Sequence, residues 1–206
     1  MNIEKLYPYV VPEEYVLPMR RPDGFVQWLG HDVYVILVED KPELFWIHTP
    51  EAILSTGLTF DEAHKLALSN LVKFVAGPGI DIQGHQSSDG TCFVEYSGHG
   101  LASSCLVLPN LYTWATQNLK TKDVLASVPQ RELLILFTRK DRTFRDAMRR
   151  AISTKEKDAR KPITTELFEI TPNGVFPFSE QWVKARSGPI SVGKSKSFVK
   201  YICLIF

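Results

Sequence analysis

Val33-Tyr34-Val35-Ile36-Leu37-Val38 is an unbroken apolar run rich in β-branched residues. A run without polar alternation reads as a central strand buried on both faces. Asp40-Lys41-Pro42 closes it with turn chemistry, and Leu44-Phe45-Trp46-Ile47 can pair back as a hairpin. Further on, Thr59 and Glu62 stand at capping-box spacing. Phe60, Ala63, Ala67, Leu71 and Phe74 then share one face of a 3.6-residue period, and Gly77-Pro78 supplies the stop. This predicts a helix over 60–76.

Residues 80–86 and 91–96 read as strands across a Ser-Asp-Gly turn, and 101–108 as a further strand. Pro109 can open a helix that buries Leu111, Trp114 and Ala115. Residues 124–128 and 133–138 are strand-like, and 167–170 pairs with 175–178 through Pro172-Asn173-Gly174. Asp141 is placed to cap a second helix, about 142–155. Its periodicity puts Phe144, Ala147, Met148 and Ala151 inward and Arg145, Arg149 and Arg150 toward solvent. Strands and helices mix without a βαβ repeat, which predicts an α+β fold: one domain, a mixed or antiparallel sheet, about three helices packed on it. One interior is expected to join the 33–38 strand to both long helices.

The composition agrees. The 206 residues are 44% hydrophobic and 23% charged, enough for one core and against wholesale disorder. No apolar run reaches membrane-spanning length, and the first thirty residues carry no basic-then-apolar leader. Cys92, Cys105 and Cys203 cannot all pair within one chain and share no metal-binding spacing. Reduced thiols and a cytoplasmic location are the expectation. Pro8, Pro12, Pro18 and Pro22 suggest an extended arm over 1–24, ahead of a body over 25–181 and a basic tail over 182–206. Charge is segregated. Residues 1–64 hold eleven acidic and four basic side chains, whereas 139–161 hold ten basic and four acidic.

Three segments in order carry a resemblance. They are the 33–38 strand with Asp40-Lys41-Pro42; Gly57-Leu58-Thr59 leading through Glu62 to Ala67-Leu68-Ser69-Asn70-Leu71; and Val128-Pro129-Gln130-Arg131-Glu132 running into Leu133-Leu134-Ile135-Leu136-Phe137-Thr138. The third is echoed by Leu167-Phe168 and Gly174-Val175-Phe176-Pro177-Phe178. Together they resemble the YtpQ-like family of bacterial conserved proteins of unknown function, over roughly residues 25–180. Glu132 stands where the family pattern has an aspartate, and the tail from about Trp182 lies outside the likeness. The resemblance implies a cytosolic α+β domain and brings no activity, cofactor or catalytic residue with it.

Several motifs bear on chemistry. Gly188-Pro189-Ile190-Ser191-Val192-Gly193-Lys194-Ser195 matches a phosphate-binding loop by letter. It lacks the strand before it, and too little chain follows for a magnesium-binding partner, so a basic linker is favoured. Cys203-Leu204-Ile205-Phe206 has the form of a prenylation signal with Lys194, Lys196 and Lys200 upstream. An edge strand or a core-covering tail formed by the mostly apolar Phe198 to Phe206 is the favoured alternative. Asn70 falls within an apolar helix stripe and must find partners; a structural amide bonded to a loop carbonyl is favoured over a cleft residue. Asp40, Arg131 and Glu132 lie at predicted strand ends and can converge with Asn70 on a small polar cleft. The five histidines show no ligand spacing, with His31-Asp32 and Gly98-His99-Gly100 the two suggestive contexts. Cys105 sits among apolar residues as an inert thiol.

The leading expectation is a non-catalytic interaction or binding domain that meets a protein partner through its acidic first third or its basic 139–161 face. Arg142, Arg145, Arg149 and Arg150 are the contact candidates on that face. Interleaved acids and the lack of an aromatic platform argue against nucleic acid. No cofactor or metal is called for. The alternatives are an enzyme using Asp40, Asn70, Arg131 and Glu132, and a peripheral membrane protein prenylated at Cys203.

Overall fold

The computed structural model describes residues 1–16, 27–86, 91–140, 142–156, 161–179 and 196–197. The apolar 33–38 run lies in β3 (Val33–Lys41) and is buried on both faces, as its lack of alternation predicts. β3 pairs antiparallel with β1 (Leu6–Pro12) along one side. Along its other side it pairs end to end with β2 (Gln27–Gly30) and β4 (Leu44–Ile47). The β2–β3 turn places His31 and Asp32 at positive φ, at 50° and 56°, the backbone of a tight hairpin.

A second antiparallel sheet holds β5 (Asp81–Gln86), β6 (Cys92–Ser97), β7 (Val124–Gln130), β8 (Leu133–Thr138), β9 (Leu167–Thr171), β10 (Gly174–Pro177) and β11 (Lys196–Ser197). Their order is β10-β9-β7-β8-β6-β5-β11. With α1 (Pro50–Leu54), α2 (Phe60–Val75), α3 (Leu111–Leu119) and α4 (Arg142–Glu156), the described chain is α+β with two antiparallel sheets. Among the described residues no helix is long and apolar enough to cross a membrane.

Within the segment expected as an extended arm lying on the body or partly mobile, residues 6–12 form a strand buried at every position; residues 17–24 lie outside the described residues. Its prolines misled because they sit where a strand tolerates them. The Val10 amide points away from β3 and donates to Ser104 Oγ at 3.3 Å. Pro8 and Pro12 share the parity of Val10, so the amides they lack face the open edge and cost the ladder nothing. Residues 101–108, expected as a strand, instead hold a 3-10 turn at Ser103–Val107. Leu101, Ala102, Cys105 and Leu106 are all fully buried there, so burial without alternation mimicked a strand.

The capping box is present: Glu62 N donates to Thr59 Oγ1, and Thr59 N to Glu62 Oε2. α2 spreads Ala63 and Ala67 against Leu6 and Leu37. Asn70 resolves to its structural role. Its Nδ2 donates to the carbonyls of Ile3 at 2.8 Å and Leu6 at 3.0 Å, tying the chain entering β1 to the helix. On the same side of the sheet, His48 Nε2 donates to Glu39 Oε2 at 3.0 Å. Burial alone would raise the Glu39 carboxyl. The hydrogen bonds from His48 and the Asn2 amide, with Lys41 nearby, outweigh that and hold it below its ordinary value.

The interior is divided rather than single. One large cluster joins β1, β3, Leu71 and Val75 of α2, α3 and the inner face of the second sheet. α4 packs Ile152 and Met148 on the other face, with Leu125, Leu133, Ile135, Phe137 and Phe178. The 33–38 strand and the 142–156 helix therefore lie on opposite sides of the second sheet. Its central strand β8 is apolar from Leu133 to Phe137 for the same reason as β3, being covered on both faces.

Asn70→Ala strands two carbonyls beneath α2. It is expected to lower unfolding stability by about 1–3 kcal/mol, read from urea denaturation; a loss near zero would show that the N-terminal strand needs no such tie. The depressed Glu39 carboxyl contributes stability above the unfolded-state value that is lost as pH falls through the folded one. Glu39→Gln should flatten the acid limb of a stability–pH profile, and an unchanged slope would contradict the pairing.

Candidate anion pocket at Arg131

Arg131 and Glu132 form the two-residue turn between β7 and β8, with Gln130 paired to Leu133. The turn is gripped from two sides. Arg131 O accepts from Ser103 N at 3.0 Å, and Arg131 N donates to Lys161 O at 3.4 Å. Ile163 N adds a bond to Pro129 O at 2.9 Å. A turn that would ordinarily be solvated is thereby pressed inward, and Arg131 is only 7% exposed.

Its side chain runs toward the first sheet. The guanidinium carbon lies 4.4 Å from the Tyr15 ring centre and 5.3 Å from that of Tyr9. Nε and Nη2 are shielded from solvent and make no hydrogen bond. The Tyr9 hydroxyl is likewise buried and unbonded; it does not reach hydrogen-bond geometry with the guanidinium. Burial pushes the Tyr9 phenol up, and the positive charge of Arg131 and the close approach of its donors to the hydroxyl oppose that rise, although the contact falls outside hydrogen-bond geometry.

Beside this pair opens a pocket of about 380 Å³, walled by Tyr9 and Tyr15, by Asp40 to Phe45 of the β3–β4 hairpin, and by Ile47, His99, Arg131 and Lys161. Aromatic rings fix its floor. Phe45 stands 4.7 Å from Tyr9 and 5.9 Å from His99. Phe74 of α2 lies 4.7 Å from His99 and 5.6 Å from Tyr7. His99 Nδ1 accepts from the Leu101 amide at 3.2 Å, so the neutral ring carries its proton on Nε2. Gly100 lets Phe45 close over the loop, since a Cβ there would meet that ring at 2.6 Å.

Of the four residues expected to form a polar cleft, Asp40 and Arg131 share this pocket. Glu132 is adjacent but exposed and not part of the wall. Asn70 is spent on the backbone entering β1. The sequence reading missed Tyr9, Tyr15 and Lys161, whereas His99 already stood out in its Gly-His-Gly context.

Of the four arginines expected on the basic face of α4, one is buried within the fold. Arg145 is buried at 2% exposure, bonds to the Lys140 carbonyl and stacks 5.5 Å from the Phe178 ring centre. It is not the solvent-facing residue that periodicity proposed. Phe178, arriving from beyond β10, turns the inner face toward Arg145, Met148 and Ile152, and leaves Ala151 exposed. Arg149 is half-buried and pairs with Glu166 at 3.8 Å. Arg142 is exposed opposite Asp146, and Arg150 is exposed. Asp141, the phosphate-loop-like segment 188–195 and Cys203 lie outside the described residues.

Two other hollows, of about 460 and 550 Å³, each contain a histidine whose Nε2 is buried without a partner, His64 and His31. Neither is lined by an unpaired buried cation. Cys105 Sγ bonds to the Leu101 carbonyl at 3.7 Å, and burial pushes the thiol up, consistent with an inert core residue. Among the described residues no group of three or more His, Cys, Asp or Glu side chains is placed to hold a metal ion. No protein-family model, curated protein or solved structure matches this chain.

The two ends of the arginine series should separate in mutants. Arg145→Ala removes a buried contact and is expected to cost about 1–3 kcal/mol, against less than about 0.5 kcal/mol for exposed Arg150→Ala. Equal losses in chemical denaturation would restore a solvated arginine face.

Proposed function

We propose that this chain is a binding domain that holds an anionic group in the pocket beside Arg131. The observation that carries the reading is a guanidinium desolvated in a pocket wall with two donors unmet. An unmet buried donor costs about 1–3 kcal/mol, more when it is charged. Contact with two tyrosine rings returns about 0.5–2 kcal/mol. This balance is poor, and an anion on the unmet donors would reverse it.

This refines the non-catalytic binding domain expected from sequence and moves its contacts from the α4 arginines to the pocket. The YtpQ-like resemblance brings no activity, so the reading stands on geometry. Asp40 in the same wall is the residue through which an enzymatic alternative would act.

Arg131→Met keeps most of the volume and the turn's backbone bonds while removing the charge. The variant should be more stable than the parent by about 1 kcal/mol and should lose all thermal stabilisation by acetate, benzoate and inorganic phosphate. Retained stabilisation in the variant, or none by any of the three in the parent, would contradict the proposal. Marked destabilisation of the variant would assign Arg131 to the framework instead.

A further inference from the structure

Resting on that reading, we infer that the occupant of the Arg131 pocket is a monocarboxylate with an aromatic or aliphatic body, its carboxylate taken edge-on by Nε and Nη2 once the Tyr15 ring swings aside. Three observations point this way.

The first is which donors are free. Nε and Nη2 lie on one edge of the guanidinium, and their N–H bonds run parallel. That spacing matches the two oxygens of a carboxylate, so both donors are met by one planar group. A guanidinium serving only as a point charge would have no reason to leave this particular edge open.

The second is charge. Arg131 and Lys161 bring positive charge to the wall, but Asp40 and Glu43 stand in it as well and the charge of Glu132 reaches Tyr9. A single negative charge can be taken up on the free guanidinium edge. A phosphate dianion would bring a second charge toward these carboxylates.

The third is the rest of the wall. Tyr9, Leu44, Phe45 and Ile47 offer apolar and aromatic surface beside the charged edge. A pocket that recognised the anion alone would have no use for it; an organic body would bury against it.

Access singles out Tyr15. The free edge is closed to solvent, so a ring must move before an anion reaches it. Tyr9 is held in β1 at 2% exposure, whereas Tyr15 is 36% exposed at the end of a three-residue 3-10 turn, Glu13–Tyr15. The more exposed Tyr15 ring, which covers the guanidinium in this structure, is the one that would turn aside.

Calorimetric titration of the full chain with four probes tests this: benzoate, acetate, inorganic phosphate and uncharged benzamide. Benzoate should bind at least about tenfold more tightly than acetate, phosphate should bind more weakly than benzoate, and benzamide should not register. Arg131→Gln should abolish benzoate binding, and Tyr15→Ala should speed its association in stopped-flow fluorescence. Phosphate binding more tightly than benzoate, or acetate equalling it, overturns the ligand class while leaving an anion pocket in place. Failure of all three anions overturns the underlying reading as well. An unchanged association rate in Tyr15→Ala removes the tyrosine from its gating role.

Discussion

The antiparallel pairing of Leu6–Pro12 with β3 is the constraint on which the rest of the molecule depends. Without it β3 would leave one edge unpaired in the interior, where an unmet backbone group is costly. The same pairing sets Tyr7 and Tyr9 on the inner face and delivers Tyr15 to the rim of the pocket. Asn70 and Ser104 secure it from α2 and from the 3-10 turn at Ser103–Val107, so three elements distant in sequence converge on one edge strand.

Arg131 meets this strand from the other sheet. Its backbone is fixed by Ser103 and Lys161, and its guanidinium lies against the Tyr15 ring. The fold thus creates a strained electrostatic position at one point and compensates it only in part with aromatic faces. Buried arginines elsewhere in the chain are treated differently. Arg145 also lies on a ring, that of Phe178, but it bonds a carbonyl as well. Local rules are met at Arg145 and broken at Arg131, and such breaches concentrate where a molecule has work to do.

Much of the framework was legible because its signals are local. A capping box, a run of β-branched residues and a Pro-Asn-Gly turn each declare themselves within a few positions. β1 was hidden because proline argues against a strand unless the parity of its neighbours is known, and parity is a tertiary fact. The 3-10 turn at Ser103–Val107 was hidden because complete burial erases periodicity. For α4 the helix was readable, but its inner face was not: an arginine counts as polar in any moment, and only Phe178, arriving from far along the chain, makes Arg145 a core residue. The pocket was half legible. Asp40 and Arg131 stood out as charges at strand ends, and nothing local could bring Tyr9 and Tyr15 to them from a segment read as an arm.

Arginine-selective proton–nitrogen NMR observes directly the Nε–Nη2 edge of Arg131, the proposed seat of the anion. A protected Arg131 Nε–H signal is expected in the free protein, moving downfield and saturating as benzoate is added, and missing from the spectrum of Arg131→Lys. A signal that stays in place while benzoate binds elsewhere, or one that exchanges as fast as a solvated arginine, would contradict it.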